Sequence, residues 1–504
     1  MEFALTRKAI EAEKRYESAP RQTHIRAEAM VAGAGREMID ILLTDAKISI
    51  KSHETQTDRV LMEGECVCQA AYRAGNETNA RAANASAPVS FQFDLPGALS
   101  GMTNTVSVQI DEVNAKYENG HIVFDVYATL RACATSLVPV DVIVGVGDDQ
   151  TLETRFEDIK SVKLSAENAV TEHLAQTVAL PAALDARYVL MDWAKPNQID
   201  YQKEPGGVRV TGNVLVETLI STGIAQKPVQ LVKYRLPVDK FVEMPEWLLD
   251  NVKTDVNVMD VKTYINQGAG GEDATLNMEA EAEICVLATG EDNARALTDV
   301  FSTGDYLVGA DKKTYEVCLG AGRLNMQEPF RASVLLKDGA GAVGEVCAVK
   351  AHATVGEVIP DGAKTVVMGV VNVQVIYMTG NGEKLLGERQ DLSFEINVAA
   401  EIDKDALVTV TALSPEGNAL MSDRIEVKCM LDVTMDQRTK GEMTIIKDVF
   451  ENGEAPAKKG IMIVWPGETD DEWTIAKRYL TRVENVRNAY DGTDIRQNPL
   501  VLRL

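Results

Sequence analysis

The sequence predicts a mainly β chain: three repeated β-sandwich-like domains followed by a small βααβ domain. Three observations carry that reading. A four-point ruler recurs at identical spacing as Ala46, Gly64, Tyr72, Gly75, as Ala194, Gly212, Ile220, Gly223, and as Ala351, Gly369, Tyr377, Gly380. Its steps are 18, 8 and 3 residues each time, and fixed offsets in divergent sequence mark one structural unit used three times. Short runs of alternating polarity separated by turn clusters surround the ruler, which is the signature of half-buried strands. The last 46 residues differ, with two helix starts placed between two short apolar runs.

Taken in order, the N-terminal segment Glu11 to Tyr16 reads as part of an amphipathic helix that opens the first repeat. The ruler follows. Val60 to Tyr72, Val208 to Ile220 and Val366 to Tyr377 are rich in β-branched and aromatic residues, and each is expected as a strand. Gly75, Gly223 and Gly380 then supply a residue that tolerates positive φ for a tight reversal. Tyr72 and Tyr377 are core candidates, since Ile220 takes their place in the middle repeat and the hydroxyl is dispensable there.

Every repeat continues with an aromatic-bearing strand (Val89 to Phe93, Leu231 to Leu236, Leu392 to Ile396). A short valine-rich strand comes next, then a longer alternating one ending near Leu130, Val286 and Val433. Turns are expected at Glu118 to Gly120, Gly268 to Asp273 and Pro415 to Asn418. At 504 residues the chain exceeds a single core. The repeats fall at 1–146, 147–305 and 306–450, followed by a linker at 451–458 and a final domain at 459–504.

Charge and composition exclude some functions. A net charge of −25 opposes recognition of nucleic acid or an anionic membrane, which needs clustered Lys and Arg. The acidity itself reads first as solubility, with a docking patch for a basic partner as the functional alternative. No signal peptide is visible, and no apolar run approaches the roughly 18 residues of a membrane span. The seven cysteines are odd in number and scattered, which suits buried thiols in a reducing compartment. A cytoplasmic protein is expected.

Enzyme motifs do not emerge, and the expectation is no enzyme, no cofactor and no metal. Gly339, Gly341 and Gly344 form a Gly-x-Gly-x-x-Gly, but Val346 to Val355 reads as a strand where a dinucleotide site needs a helix. His24, His53, His121, His173 and His352 lie far apart without ligand spacing. Cys66 and Cys68 put two thiols on one strand face without a second pair. With 76 Asp and Glu in the chain, a glycosidase-like carboxylate pair carries no information.

The C-terminal segment carries the sharpest motif. Ile461 to Trp465 and Pro499 to Leu504 are the two short strands. Thr469 with Glu472, and Thr481 with Glu484, are Thr-x-x-Glu capping boxes opening two helices. Trp473, Ala476 and Tyr479 share one helical face, as do Val483, Val486 and Tyr490. Core packing is the plainer account of Trp465 and Trp473, and sugar stacking the other. From Pro466-Gly467-Glu468-Thr469, Trp473 to Tyr479 and Val483-Glu484, the segment resembles a LysM domain, a βααβ module whose family binds N-acetylglucosamine-containing glycans such as peptidoglycan. That resemblance implies a groove at Gly467, Glu468, Thr469, Asp470, Asp471, Trp473 and Tyr490 for glycan or a partner. This chain departs from the family in the three acidic residues Asp470, Asp471 and Glu472 before the tryptophan, and in Tyr490 at the end of the second helix.

Read with that tail, the three repeats resemble SPOCS domains of sporulating Firmicutes, found in coat-assembly proteins that end in LysM. The resemblance implies a scaffold of spore-coat or envelope morphogenesis in the mother-cell cytoplasm at the forespore surface. Its implied partners are coat morphogenetic proteins, among them the ATPase of the coat's base layer, or peptidoglycan. The alternative is a cell-wall protein whose LysM holds glycan directly, with the repeats as spacers. A hydrolase hidden in the repeats lacks any motif.

Overall fold

The computed structural model describes residues 3–31, 39–75, 79–147, 149–245, 251–268, 273–337, 342–402, 406–457, 460–490, 494–496 and 498–503. It is mainly β, as the alternating pattern requires. The first repeat contains β1 (Leu5–Glu17), β2 (Arg21–Met30), β3 (Ile39–Gln56), β4 (Arg59–Ala74), β5 (Ala80–Asp94), β6 (Thr103–Glu118) and β7 (His121–Val146). The second contains β8 (Leu152–Ala179), β9 (Ala186–Glu204), β10 (Gly207–Thr222), β11 (Val229–Glu243), β12 (Val252–Asn266) and β13 (Thr275–Ser302). The third contains β14 (Tyr306–Leu335), β15 (Val343–Asp361), β16 (Lys364–Thr379), β17 (Leu385–Val398), β18 (Leu407–Met421) and β19 (Arg424–Glu454). The chain closes with β20 (Ile461–Val464), α1 (Glu472–Tyr479), α2 (Val483–Arg487) and β21 (Leu500–Arg503).

Each repeat packs two antiparallel sheets face to face. One is a three-stranded meander, β3-β4-β5, β9-β10-β11 or β15-β16-β17. The other is built on the repeat's last strand: β7 pairs with β1, β2 and β6, β13 with β12 and β8, and β19 with β14 and β18. Alternate residues of both sheets fill a separate core in every repeat, such as Val60, Met62 and Phe124 in the first, Val208, Val210 and Ile284 in the second and Val371, Val373 and Val427 in the third.

The ruler has a structural cause. Its alanine always sits on the first meander strand opposite the residue four beyond the glycine: Ala46 pairs with Cys68, Ala194 with Val216 and Ala351 with Val373. Opposite the glycine that first strand bulges, between Ile50 and Ser52, at the register break facing Gly212, and between Val355 and Glu357. The bulge presses backbone onto the glycine. A Cβ on Gly64 would lie 2.5 Å from the Ser49 oxygen and one on Gly212 2.8 Å from the Gln198 oxygen, while one on Gly369 would strike the Thr354 oxygen. Tyr72, Ile220 and Tyr377 are buried as expected. Of the closing glycines only Gly75, at φ 54°, is left-handed. Gly223 and Gly380 instead donate their N–H groups to Asp185 O (2.9 Å) and Ala342 O (2.7 Å).

Three further expectations are corrected. Residues 11–16 are not helical but lie within β1, where Ile10 and Ala12 alternate into a core and the ladder to β7 satisfies the backbone; tertiary pairing overrides the helix propensity of Glu, Lys and Arg. Pro415 to Asn418 is not a turn: it lies inside β18, beside a bulge with Ser414 at φ 48°. Residues 451–454, expected to open the linker, continue β19. The turn at Glu118 to Gly120 forms, with Asn119 and Gly120 at positive φ. Residues 269–272 of the next expected turn, and Gly339 and Gly341, lie outside the described residues. From Val343 the chain is a strand, as the sequence requires and a dinucleotide site does not allow.

The repeats share two further cores. Leu42, Leu43 and Ala71 meet Leu190, Met191 and Leu219 and also Cys347, Ala348 and Ile376. In every repeat these are the fourth and third residues before the ruler alanine and the one before the large apolar position, so three equivalent surfaces converge on one pseudo-threefold axis. At the far end the long strands run past their own sandwiches as two-stranded ribbons. Ile10, Val140 and Val142 pack there against Ala294 and Ala296 and against Val317 and Ile445. Beyond them Ile143, Leu297, Val300, Ile446 and Val449 close the hub. Burying each such side chain stabilises the assembly by about 1.5–3 kcal/mol before entropy is set against it.

Polar side chains repeat the symmetry. The residue after the ruler alanine reaches the bulge carbonyl of the following repeat: Lys47 donates to Val258 O, Lys195 to Ala412 O at 3.1 Å and His352 to Ile110 O at 2.8 Å.

Candidate functional site

The C-terminal unit stands on the tip of the hub. β20 and β21 pair antiparallel from Ile461 opposite Arg503 to Val464 opposite Leu500, and Val464, Leu500 and Leu502 bury one face against Ile475, Ala476 and Val486 of the helices. The βααβ order is the one the sequence predicts. Both caps differ from expectation. Asp471, not Thr469, caps α1: its carboxylate accepts from Thr474 N at 2.7 Å, and Thr474 Oγ1 pairs reciprocally with the cap backbone. α2 starts after Arg482 without a side-chain cap, and Thr481 Oγ1 accepts from Asn485 Nδ2 at 3.1 Å. A carboxylate beside the positive end of a helix outcompetes the hydroxyl two residues earlier.

The seven groove positions divide into four groups. Gly467 and Asp470 pin the loop: Gly467 N donates to Asp470 Oδ2 at 2.9 Å, and Arg478 donates twice to the same carboxylate at 3.0 and 2.6 Å. That guanidinium, with the Gly467 N–H, holds the Asp470 carboxyl below the usual range. Glu468 and Thr469 form the exposed turn, and Glu468 O accepts from Arg496 at 3.2 Å. Tyr490 donates its hydroxyl to Glu472, which Arg487 also grips at 2.8 Å, so this pair ties α1 to α2.

Asp471 and Trp473 turn toward the second repeat. The Trp473 indole N–H donates to Asp299 Oδ2 at 2.8 Å, and its ring meets Phe301 edge-on at 5.0 Å. Lys477 donates to Asp299 Oδ1 at 2.5 Å, and Arg155 reaches Asp471 at 3.2 Å. Burial raises the Asp299 pKa, but Lys477 and Trp473 more than offset it and leave the carboxyl below its ordinary value. Sequence reasoning missed Asp299, Phe301 and Arg155, because they belong to another repeat and carry no motif.

What the unit leaves open is the outer face of its sheet. Ile461 (70% exposed), Ile463 (64%) and Trp465 (75%) alternate along β20 and the residue after it, with Val501 (53%) on β21. Single exposed apolar residues are ordinary; four on one small face mark an interaction surface.

Residues 37–118 match the family model of the SipL SPOCS domain. The SPOCS match spans β3 to β6, the first ruler and its bulge included, and points to a role related to sporulation. No curated protein and no solved structure matches the chain. Among the described residues, no helix is long and apolar enough to cross a membrane.

Proposed function

We propose that this protein is a non-enzymatic scaffold of spore-coat or spore-envelope assembly, in which the three repeats form one rigid platform and the C-terminal LysM-like unit docks a coat morphogenetic protein, the base-layer ATPase among the candidates. The observation that carries this reading is the unit's orientation. Trp473 and Asp471, which a glycan groove would use, are engaged by Asp299, Phe301 and Arg155, while the apolar face of Ile461, Ile463, Trp465 and Val501 points outward. A fixed platform with one exposed apolar face suits protein docking, because holding the face in place lowers the ordering cost of binding. The SPOCS match supports the sporulation setting, and the mother-cell cytoplasm is the compartment proposed. Direct binding of peptidoglycan is the second reading, favoured by the βααβ order alone.

The test uses the full chain. Purified protein is mixed with the recombinant base-layer ATPase and, separately, with insoluble peptidoglycan, alongside the Ile463→Ser and Trp465→Ser variants. Complex formation that these substitutions weaken, without sedimentation on peptidoglycan, is the expected result. Sedimentation with glycan and no complex would replace the docking reading with the wall-binding one.

A further inference from the structure

The three seams around the pseudo-threefold axis are not alike. At two of them a glutamine clamps the next repeat's first meander strand. Gln69 accepts from Asp192 N at 3.1 Å, and Gln374 accepts from Thr44 N at 2.8 Å while donating to Thr44 O at 3.0 Å. Both glutamines lie three residues before the large apolar ruler position. The equivalent residue in the second repeat is Glu217, and a carboxylate has no N–H to return to a backbone oxygen. Glu217 turns back into its own repeat, accepting from Trp193 Nε1 at 2.7 Å and pairing with Lys233 at 2.9 Å.

A second difference acts in the same direction. Gly387, opposite Ile376 on β17, lets β17 lie on the backbone of β3, where a Cβ would come within 2.5 Å of Leu42 O. Ala82 holds the same register position in the first repeat, opposite Ala71, but in the second it is Leu231, opposite Leu219. Leu231 fills that position with a side chain packed against the core of Cys347 and Ala348. The seam there opens into a cleft of about 710 Å³, against about 390 Å³ at the seam of Gly387.

The cleft is walled by the edge of β11, by Val346 to Val349 of β15 and by Ser414 to Asn418 of β18, which packs on β15. Among the described residues, no backbone hydrogen bond joins β11 to β15, each of which pairs on one side only. Leu215, Leu231, Val346 and Cys347 supply apolar lining. Lys233 is spent on Glu217 and on Pro415 O at 3.0 Å. Arg235, exposed on the β11 wall, has no ion-pair partner among the described residues, and Glu416 stands on the β18 wall.

We infer that this cleft receives an extended segment of a partner protein, added as a strand along β11, with apolar side chains toward the floor and an acidic one beside Arg235. Open edges supply main-chain hydrogen bonds to any extended peptide, and the lining selects alternate side chains. Glu416 sets the polarity of the charge readout, since an acid bound on the β18 side would face a carboxylate. This inference is independent of the docking face on the C-terminal unit.

The probe is a display library of random linear twelve-residue peptides, panned on the full chain and on the double variant Leu231→Gly, Glu217→Gln, which restores both features of the closed seam. The wild-type protein is expected to enrich peptides with alternating apolar residues and an acid. A synthetic representative should lose about tenfold or more in affinity on the double variant, the scale of a lost charge-assisted contact with its strand pairing. Arg235→Glu, on the surface and outside every core, should shift the enriched peptides from acidic to basic, which keeps the test intact if the double variant fails to fold. Equal enrichment on open and closed seams, or an unchanged charge preference in Arg235→Glu, would overturn the inference.

Discussion

His352 donates its Nε2–H to the carbonyl oxygen of Ile110 at 2.8 Å, tying the third repeat to the first. A carbonyl only accepts, so the bond fixes which ring nitrogen carries the proton. Burial lowers the pKa of this ring, and the Lys195 ammonium lowers it further. Between the depressed folded value and an unfolded value of about 6.5, the unfolded chain binds more protons at this residue than the folded one. Stability should therefore be whole above pH 6.5 and fall as pH drops through that value. Urea titrations at several pH values check this against His352→Gln, which keeps an N–H donor and cannot titrate. The variant should lose less stability on acidification; equal losses would mean that His352 is not the responsible group.

Gly369 is expected to tolerate no side chain. A Cβ there would strike Thr354 O and the Phe394 ring, and both belong to paired strands that cannot retreat singly. Gly369→Ala should cost about 3 kcal/mol, at the upper end for overpacking. Gly322→Ala, with nothing within 4 Å of the added carbon, should stay within about 0.5 kcal/mol. Chemical denaturation of the pair separates a bulge constraint from a general cost of removing glycine.

Asp436 joins the second and third repeats through charge. It accepts from Lys253 Nζ at 2.7 Å and from Arg323 at 2.9 and 2.6 Å. Burial raises its pKa, and the two cations more than reverse this, leaving the carboxyl below the ordinary aspartate value. Its contribution is thus present above an unfolded pKa of about 3.9 and lost as pH falls through the folded value. Asp436→Asn leaves the buried Lys253 ammonium without its anion, while Arg323 keeps Asp255 at 2.8 and 3.0 Å, and should cost roughly 3 kcal/mol near neutral pH. The deficit, read from denaturant midpoints, should shrink toward the acid limb.

How much of this was legible in the sequence depends on whether a feature is local. The ruler positions could be read because a strand, its bulge and the facing glycine lie within one meander, at offsets that a string comparison detects. Residues 11–16 misled because their composition is helical while their partner strand, β7, begins more than a hundred residues later. The convergence of Leu43, Met191 and Ala348 was printed in the sequence as equal offsets from the ruler alanine, yet only the closed ring shows that equal offsets meet. At the C-terminus the motif placed Trp473 on the correct helix. Its partners Asp299 and Phe301 lie on another repeat, which is why its direction could not be read.

That direction gives the last prediction. Asp299 holds the C-terminal unit through Trp473 Nε1 and Lys477 Nζ; the part-buried indole bond to a carboxylate is worth about 1.5–3 kcal/mol, and the Lys477 pair, with the lysine 44% exposed, adds about 0–1 kcal/mol. Arg155 and Asp471 are both exposed, with side-chain exposures of 43% and 51%, and such a pair contributes about 0–1 kcal/mol. Asp299→Ala should therefore release the unit far more than Arg155→Ala does. Limited proteolysis within residues 455–457, the segment between β19 and the unit, reports the population of the released form, and each 1.4 kcal/mol lost raises the cleavage rate about tenfold while reclosing outpaces cutting. Trp473→Phe, which keeps the edge-on ring contact but removes the N–H, should fall between the two. If all three variants are cut at the wild-type rate, the unit is not held by Asp299, and the fixed outward presentation of Ile463 and Trp465 loses its mechanical basis.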